Sequence, residues 1–168
     1  ARIVSMCYFC LIAFNFSTTK PENIAILSSA SELLSQVPNL CSPEPNSKII
    51  LVSTDFPSIT RPWLTNKKTD DLKICFVNEV PNADLTQTII ENIDPNTSVV
   101  CVSYVQFASG TRIDIKKLAK YTKEVGAKLV VDVTQAAGAI PINISEWSAD
   151  ILVCSGYKWL GGHGGVAF

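Results

Sequence analysis

Short apolar runs recur along the chain: Asn-Ile-Ala-Ile-Leu-Ser at 23–28, Lys-Ile-Ile-Leu-Val-Ser at 48–53, Leu-Lys-Ile-Cys-Phe-Val at 72–77, Ser-Val-Val-Cys-Val-Ser at 98–103, Lys-Leu-Val-Val-Asp at 128–132 and Asp-Ile-Leu-Val-Cys at 150–154. They are rich in β-branched residues and apolar at successive rather than alternate positions. That pattern predicts strands covered on both faces, in a parallel or mixed sheet. Between them the period changes. In residues 114–125, Ile115, Leu118, Ala119, Thr122 and Val125 fall on one helical face, and Gly126 is placed to cap the C-terminus. Residues 84–93 also carry apolar side chains at helical spacing, and Asp94-Pro95 ends that helix because proline keeps the residue before it out of the helical region. Strands alternating with helices predict an α/β sandwich. With no internal repeat and no low-complexity linker, residues 1–168 read as one domain.

Composition narrows the partners. Of 168 residues, 47% are hydrophobic and 17% charged, enough apolar material for a core and too much for general disorder. Fourteen Lys plus Arg against fifteen Asp plus Glu leave a net charge of -1, with no basic stripe for a phosphate backbone, so nucleic acid is not an expected partner. The apolar stretch at 4–16 contains Cys7, Cys10 and Asn15 and falls short of the roughly 18 to 20 residues a membrane span needs. Arg2 is the one early charge and no small-residue cleavage site follows, so the start does not read as a secretory signal. The expected location is the cytoplasm. Position 1 is Ala rather than Met and the apolar segment starts abruptly, so the chain is expected to be a piece of a longer protein.

The cysteines are Cys7, Cys10, Cys41, Cys75, Cys101 and Cys154, and the last four sit singly in or beside apolar runs, as small hydrophobes. Cys7-Tyr-Phe-Cys10 has redox-motif spacing but lacks the second pair a zinc site needs, so no metal is expected. The sequons at Asn15, Asn96 and Asn143 matter only in a secreted protein.

Glycine points to a site. All eight glycines lie from Gly110 onward, and five fall in Ser-Gly-Tyr-Lys-Trp-Leu-Gly-Gly-His-Gly-Gly at 155–165. A flexible loop is the plain reading of such a stretch. Lys158, however, follows the apolar run at 151–154 so closely that it emerges at the C-terminal end of a strand, where open α/β sheets bind ligands. A lysine there can be partly desolvated and serve as a carbonyl nucleophile. Asp132 ends the preceding strand, with Gln135 three residues on. A carboxylate there is costly unless it meets a cation or donors, or caps the next turn. One strand ending in an acid and the next in a lysine is the constellation a pyridoxal cofactor demands: the lysine forms the imine, and the acid keeps the ring nitrogen protonated.

Val-Val-Asp-Val-Thr-Gln-Ala-Ala-Gly-Ala-Ile-Pro at 130–141, followed by Ala-Asp-Ile-Leu-Val-Cys-Ser-Gly-Tyr-Lys-Trp-Leu-Gly at 149–161, resembles the signature of class V aminotransferases. These are fold type I pyridoxal phosphate enzymes that include cysteine desulfurases, kynureninases and amino-acid epimerases. Upstream, Ile-Leu-Ser-Ser-Ala-Ser-Glu at 26–32 is similar to the family's phosphate-binding turn. Asp-Phe-Pro-Ser-Ile-Thr-Arg-Pro-Trp at 55–63 is similar to the segment whose aromatic residue stacks on the cofactor. Ser-Tyr-Val-Gln-Phe-Ala-Ser-Gly at 103–110 is similar to the strand and turn before the Asp strand. The resemblance covers about residues 20–168 and implies a three-layer α/β/α sandwich with a mainly parallel mixed sheet, the large domain of a fold type I transferase.

It also implies roles. Lys158 would form the Schiff base with pyridoxal 5'-phosphate and later move the proton at the substrate α-carbon. Asp132 would pair with the pyridinium nitrogen and Gln135 would donate to the phenolic oxygen. Phe56 would stack on the ring, where cysteine desulfurases carry His and the kynureninase branch carries Phe. Ala30 and Ser31 would bind the phosphate at a helix start, and Ser155 and Tyr157 would complete the cup, Tyr157 standing where desulfurases usually have His. Together Phe56 and Tyr157 argue against a typical desulfurase. His163 reads as a solvent-facing loop residue, with contact to a cofactor or dimer neighbour as the alternative. Trp63, Trp147 and Trp159 read as packing residues, and Glu32 as part of a helix cap.

The family has a further small domain, and its members are dimers with the active site at the protomer interface. The expectation is therefore most of a cofactor-binding large domain that takes a small amino-acid substrate and, in the intact protein, forms a homodimer. Transamination, lyase or desulfurase chemistry remains open. The alternatives are an inactive remnant serving as a binding module, and a nucleotide-binding α/β domain; the latter lacks a glycine fingerprint after its first strand, since residues 1–109 contain no glycine.

Overall fold

In the computed structural model, which describes residues 20–66 and 71–168, five of the apolar runs become parallel strands. They are β1 (Lys48–Val52), β2 (Lys73–Val77), β3 (Thr97–Ser103), β4 (Lys128–Asp132) and β5 (Ile151–Val153), in spatial order β2-β1-β3-β4-β5. The helices are α1 (Ala30–Cys41), α2 (Pro57–Thr65), α3 (Leu85–Glu91), α4 (Ile115–Val125) and the single turn α5 (Ile144–Trp147).

Successive strand residues face opposite sides of the sheet, and both sides are covered. Ile50, Val52, Val100, Val102, Leu129 and Val131 pack against α3, α4 and Trp147. Ile49, Leu51, Val99, Cys101, Val130 and Val153 pack against α1 and α2 through Leu34, Val37, Ile59 and Trp63. Burying each such side chain contributes about 1.5–3 kcal/mol. The result is the three-layer α/β/α sandwich. Antiparallel character enters, among the described residues, in isolated bridges: Ala167 bridges both Leu27 and Ser155, and Val105 bridges Arg112.

Two strand expectations need correction. The run at 23–28 is not a strand of the parallel sheet: a 3-10 turn, Pro21–Asn23, precedes it, and its sheet contact is the bridge from Leu27 to Ala167. Its side of the sheet lies beyond β5, where the intervening lane is taken by residues 166–168. The run at 72–77 is a strand, but it lies at the edge, so Phe76 is exposed rather than covered. The Cys7/Cys10 pair, Asn15 and the apolar stretch at 4–16 lie outside the described residues. Among the described residues no helix is long and apolar enough to cross a membrane.

Helix ends follow the local chemistry. Asp84 and Asp114 cap α3 and α4, accepting the N–H groups of Gln87 at 3.3 Å and Lys117 at 2.9 Å, and Gly126 closes α4 at φ 75°. Ser29 caps α1 by accepting the Glu32 N–H at 3.1 Å, while the Glu32 carboxylate accepts the Ser28 N–H at 3.1 Å and the Ser28 hydroxyl at 2.6 Å. Those two bonds hold Glu32 below the usual carboxylate range. Glu32 is thus a capping residue, as its position suggests. Ser29→Ala is expected to lower unfolding stability by about 1 kcal/mol in urea denaturation; an unchanged midpoint would mean that the turn holds without its cap.

The strand order has a functional consequence. The chain leaves β1 to one side for β2 and returns on the other side for β3, so the connections after β1 and β3 diverge and open a crevice at the C-terminal ends of those strands. In doubly wound sheets such a switch point is where ligands bind.

Candidate active site

Asp132 is the last residue of β4, in register with Ser103 of β3 on one side and Val153 of β5 on the other. It is 8% exposed. Its Oδ1 accepts the Thr134 N–H at 2.8 Å, and the Thr134 hydroxyl also hydrogen-bonds it. That hydroxyl oxygen in turn accepts the Ser155 N–H at 3.0 Å, which ties the end of β5 to the turn after β4. Among the described residues no ion pair reaches Asp132. Burial pushes its carboxyl up to about 6; the Thr134 bonds pull the other way, and the negative charge of Asp55 adds to the rise.

Beyond β5 the chain turns through Ser155, which is buried, into exposed Tyr157, Lys158 and Trp159. The Lys158 ammonium lies 5.5 Å from the centre of the Tyr157 ring. Partial desolvation of Lys158 is not observed. In this turn Leu160 points inward, whereas Tyr157, Lys158 and Trp159 stand out from it. The same geometry corrects Trp159, which is 63% exposed and so not a packing residue, while Trp63 and Trp147 are buried as expected. The turn is held by the Gly161 N–H donating to the Lys158 carbonyl at 3.0 Å and the Gly162 N–H to the Gly156 carbonyl at 2.9 Å. It rests on Gly138 of the turn after β4: a Cβ there would lie 2.6 Å from the Trp159 carbonyl oxygen. Gln135 is half-buried in that same turn, and His163 is exposed.

The loop after β1 supplies Phe56, which is 47% exposed and meets Phe107 edge-on, with ring centres 5.3 Å apart at 85°. Its neighbour Asp55 is 6% exposed and spans the switch point. Asp55 Oδ1 accepts the Phe56 N–H at 2.8 Å and the Ser103 hydroxyl at 2.6 Å; Oδ2 accepts the Ser103 N–H at 2.8 Å and Gln106 Nε2 at 3.4 Å. Burial pushes Asp55 up, against the pull of those bonds. On the other flank, Ala30 opens α1 and is buried, and the Ser31 hydroxyl lies 2.7 Å from that of Ser58 in the first turn of α2. Ser31, Phe56, Ser58 and Arg61 line one cavity of about 520 Å³. A cavity of about 500 Å³ along the free side of β5, between Ile24 and Leu152, includes none of the expected site residues.

The expected residues thus fall along one sheet edge in a connected order. Ser31 joins α2 beside Phe56; Asp55 links Phe56 to β3; β3 pairs with Asp132; Thr134 links Asp132 to Ser155, and Tyr157 and Lys158 follow. Sequence reading did not assign roles to Asp55, Ser103, Thr134 or Gly138. Asp55 had a usable signal, a carboxylate just past an apolar run, the same signal that singled out Asp132. Ser103 and Thr134 carried none.

The family model Aminotransferase class-V matches residues 12–167. An uncharacterized aminotransferase, YcbU, of Bacillus subtilis is 29% identical over 149 residues, which is 89% of this chain and 40% of that protein. A kynureninase of Pseudomonas fluorescens is 33% identical over 86 residues, 51% of this chain and 21% of the enzyme. Among solved structures, an apo cysteine desulfurase of Thermococcus onnurineus NA1 superposes with a TM-score of 0.86 at 26% identity, covering 99% of this chain and 42% of that one. The chain thus spans less than half the length of each of these proteins.

Proposed function

The chain belongs to the class V aminotransferase family, and we propose that it is most of the cofactor-binding large domain of a pyridoxal 5'-phosphate enzyme acting on a small amino-acid substrate. One observation carries this reading: Asp132, a buried carboxylate with no cation beside it among the described residues, ends the strand adjacent to the one that delivers Lys158. The donor set fits the cofactor. Among the described residues Asp132 has no positive partner of the kind a protonated ring nitrogen supplies. Lys158 offers a primary amine, Phe56 an aromatic face, and the first turn of α1 at Ala30 and Ser31 free N–H groups for a phosphate.

When bound, pyridoxal phosphate supplies an electron-withdrawing ring that stabilises negative charge at the substrate α-carbon. The chain does the rest. Asp132, oriented by Thr134, holds the ring nitrogen protonated. Gln135 donates to the phenolic oxygen, a neutral partner that leaves the amine its proton. Ser31, Ser155 and Tyr157 bind phosphate oxygens, and Phe56 covers one ring face and excludes water from it. A phenyl ring at 56 cannot exchange a proton as an imidazole can, which leaves proton movement at the α-carbon to the Lys158 amine. This favours a transaminase or lyase over a typical desulfurase. The intact enzyme is read as a cytoplasmic homodimer; the family resemblance supports the dimer, and the free cysteines at 41, 75, 101 and 154 suit a reducing compartment.

Pyridoxal phosphate added to the purified chain is expected to give an absorption band at roughly 400–430 nm. The band should vanish in Lys158→Ala, and borohydride treatment followed by peptide mapping should place the label on Lys158. No band from a folded sample would overturn the reading and favour an inactive remnant with a scaffold role. A label on another lysine would overturn the assignment of Lys158.

A further inference from the structure

Asp55 plays no part in the chemistry above, yet it is as buried as Asp132 and more heavily bonded. Every group that surrounds its carboxylate is a donor: the Phe56 N–H at 2.8 Å, the Ser103 N–H at 2.8 Å and hydroxyl at 2.6 Å, and Gln106 Nε2 at 3.4 Å. Only an acceptor with no hydrogens of its own satisfies two backbone N–H groups on different oxygens at once. The Gln106 amide is committed to this arrangement. Its Nε2 donates to Asp55 and to the Ser103 carbonyl at 3.4 Å, leaving buried Oε1 without a partner among the described residues. Turning the amide over would set Oε1 against both acceptors. Three of the donors belong to β3 and its loop and one to Phe56 itself, so the carboxylate fixes the backbone of Phe56 to the far side of the switch point. Phe107, from the loop after β3, touches the Phe56 ring edge-on from that same side.

We propose that Asp55 is a positioning residue that clamps the loop after β1 to the end of β3 and thereby sets the height and tilt of the Phe56 ring over the cofactor site. This rests on the reading of Phe56 as the ring-stacking residue. The clamp explains why a charged side chain is tolerated at the base of an open crevice, and it holds the N-cap residue of α2, Phe56, whose side chain has no acceptor, through its backbone N–H. An asparagine at 55 would turn two hydrogens into an all-donor shell and release either Phe56 or Ser103.

The test is a double-mutant cycle on pyridoxal phosphate affinity in the full chain, with Asp55→Asn, Phe56→Leu and the pair. Asp55→Asn is expected to weaken binding about tenfold, the scale of losing hydrogen bonds to a charged group. In the Phe56→Leu background it should add little, since there is no ring left to position. Loss of general stability would instead add in full to the effect of Phe56→Leu, and that additivity would overturn the proposal. Ser103→Ala, which removes one donor and keeps the backbone contacts, should show the same dependence on Phe56 with a smaller loss, and it decides the matter if Asp55→Asn does not fold. A readout without cofactor separates this proposal from the functional one. The cross-peak between the Phe56 and Phe107 rings in the NMR spectrum of the cofactor-free chain should disappear in Asp55→Asn. If wild type takes up no pyridoxal phosphate, the functional reading fails and this cross-peak alone decides the role of Asp55; its persistence in the variant would overturn the clamp.

Discussion

Asp132→Asn is expected to make the cofactor-free chain more stable at pH 7.5, by on the order of 3 kcal/mol, and to leave it unchanged near pH 4. The carboxyl titrates at about 6 in the folded chain against its ordinary 3.8. Between those values the folded state binds the proton that the unfolded state has released, so stability falls as pH rises through that window. Above it the full cost of a buried anion is present, and at about 1.4 kcal/mol per pH unit the displacement makes about 3 kcal/mol. Among the described residues nothing charged that faces Asp132 offsets this: Asp55 across β3 raises it further, Cys154 just past β5 and Cys101 on β3 bring no positive charge, and Thr134 supplies the stabilising bonds. An asparagine keeps its Oδ1 for the Thr134 N–H and loses the charge. Urea denaturation of both chains at pH 4, 5, 6 and 7.5 reads the effect, together with the relief that loss of the Asp132 charge gives to Asp55, whose carboxyl is also raised. A variant less stable than wild type at pH 7.5 would mean that Asp132 already meets a cation. With pyridoxal phosphate present the order is expected to reverse, since the ring nitrogen then gives the wild-type carboxylate its positive partner. The site is thus carried at a cost in the empty chain, as functional carboxylates often are.

How much of this was legible before the structure depended on the kind of signal each residue carries. The runs at 48–53, 98–103 and 128–132 declare themselves as central strands because burial on both faces leaves no polar alternation, and β1, β3 and β4 are central. The run at 72–77 has the same composition, but edge position is a property of strand order, which no local pattern encodes, so exposed Phe76 could not be foreseen. The run at 23–28 misleads for a related reason: its apolar residues are used in the groove beside β5 and the single bridge at Leu27, not in the parallel sheet. At the site, Asp132 and Lys158 stand out because a charge at the end of an apolar run is chemically conspicuous. Asp55 has that feature too, but in the resemblance the aromatic Phe56 beside it drew the assignment. Ser103 and Thr134 act through one N–H or one hydroxyl each, and a single serine or threonine has too many ordinary uses for its sequence position to single it out. The exposure of Lys158 is set by the path of a glycine-rich turn, which composition does not dictate.

Gly138→Ala is expected to be among the most damaging single changes in the chain, at about 3 kcal/mol or more, and to uncouple Lys158 from the rest of the site. Gly138 has φ 91°, a conformation that costs an ordinary residue about 1–3 kcal/mol, and its missing Cβ is what allows the turn after β4 to meet the turn after β5. A Cβ would stand 2.6 Å from the Trp159 carbonyl oxygen, 2.7 Å from its carbonyl carbon and 2.9 Å from the Leu160 nitrogen. All three are backbone atoms, so no side chain can swing aside; the segment that follows Lys158 must move, or the turn that follows Asp132 must. Gly110 supplies the control, with φ 75° and open space where its Cβ would go. Gly110→Ala therefore pays for conformation alone, and the excess loss in Gly138→Ala measures the collision. Thermal unfolding of the two variants gives that difference. Borohydride trapping of pyridoxal phosphate gives the functional part: at a temperature where both remain folded, Gly110→Ala should label Lys158 as wild type does, and Gly138→Ala should lose most of the label. Equal losses of stability in the two variants, with labelling intact, would mean that the two turns are not held together at Gly138. The lysine and the aspartate would then owe their spacing to the pairing of β4 with β5 and the Thr134 contact with Ser155.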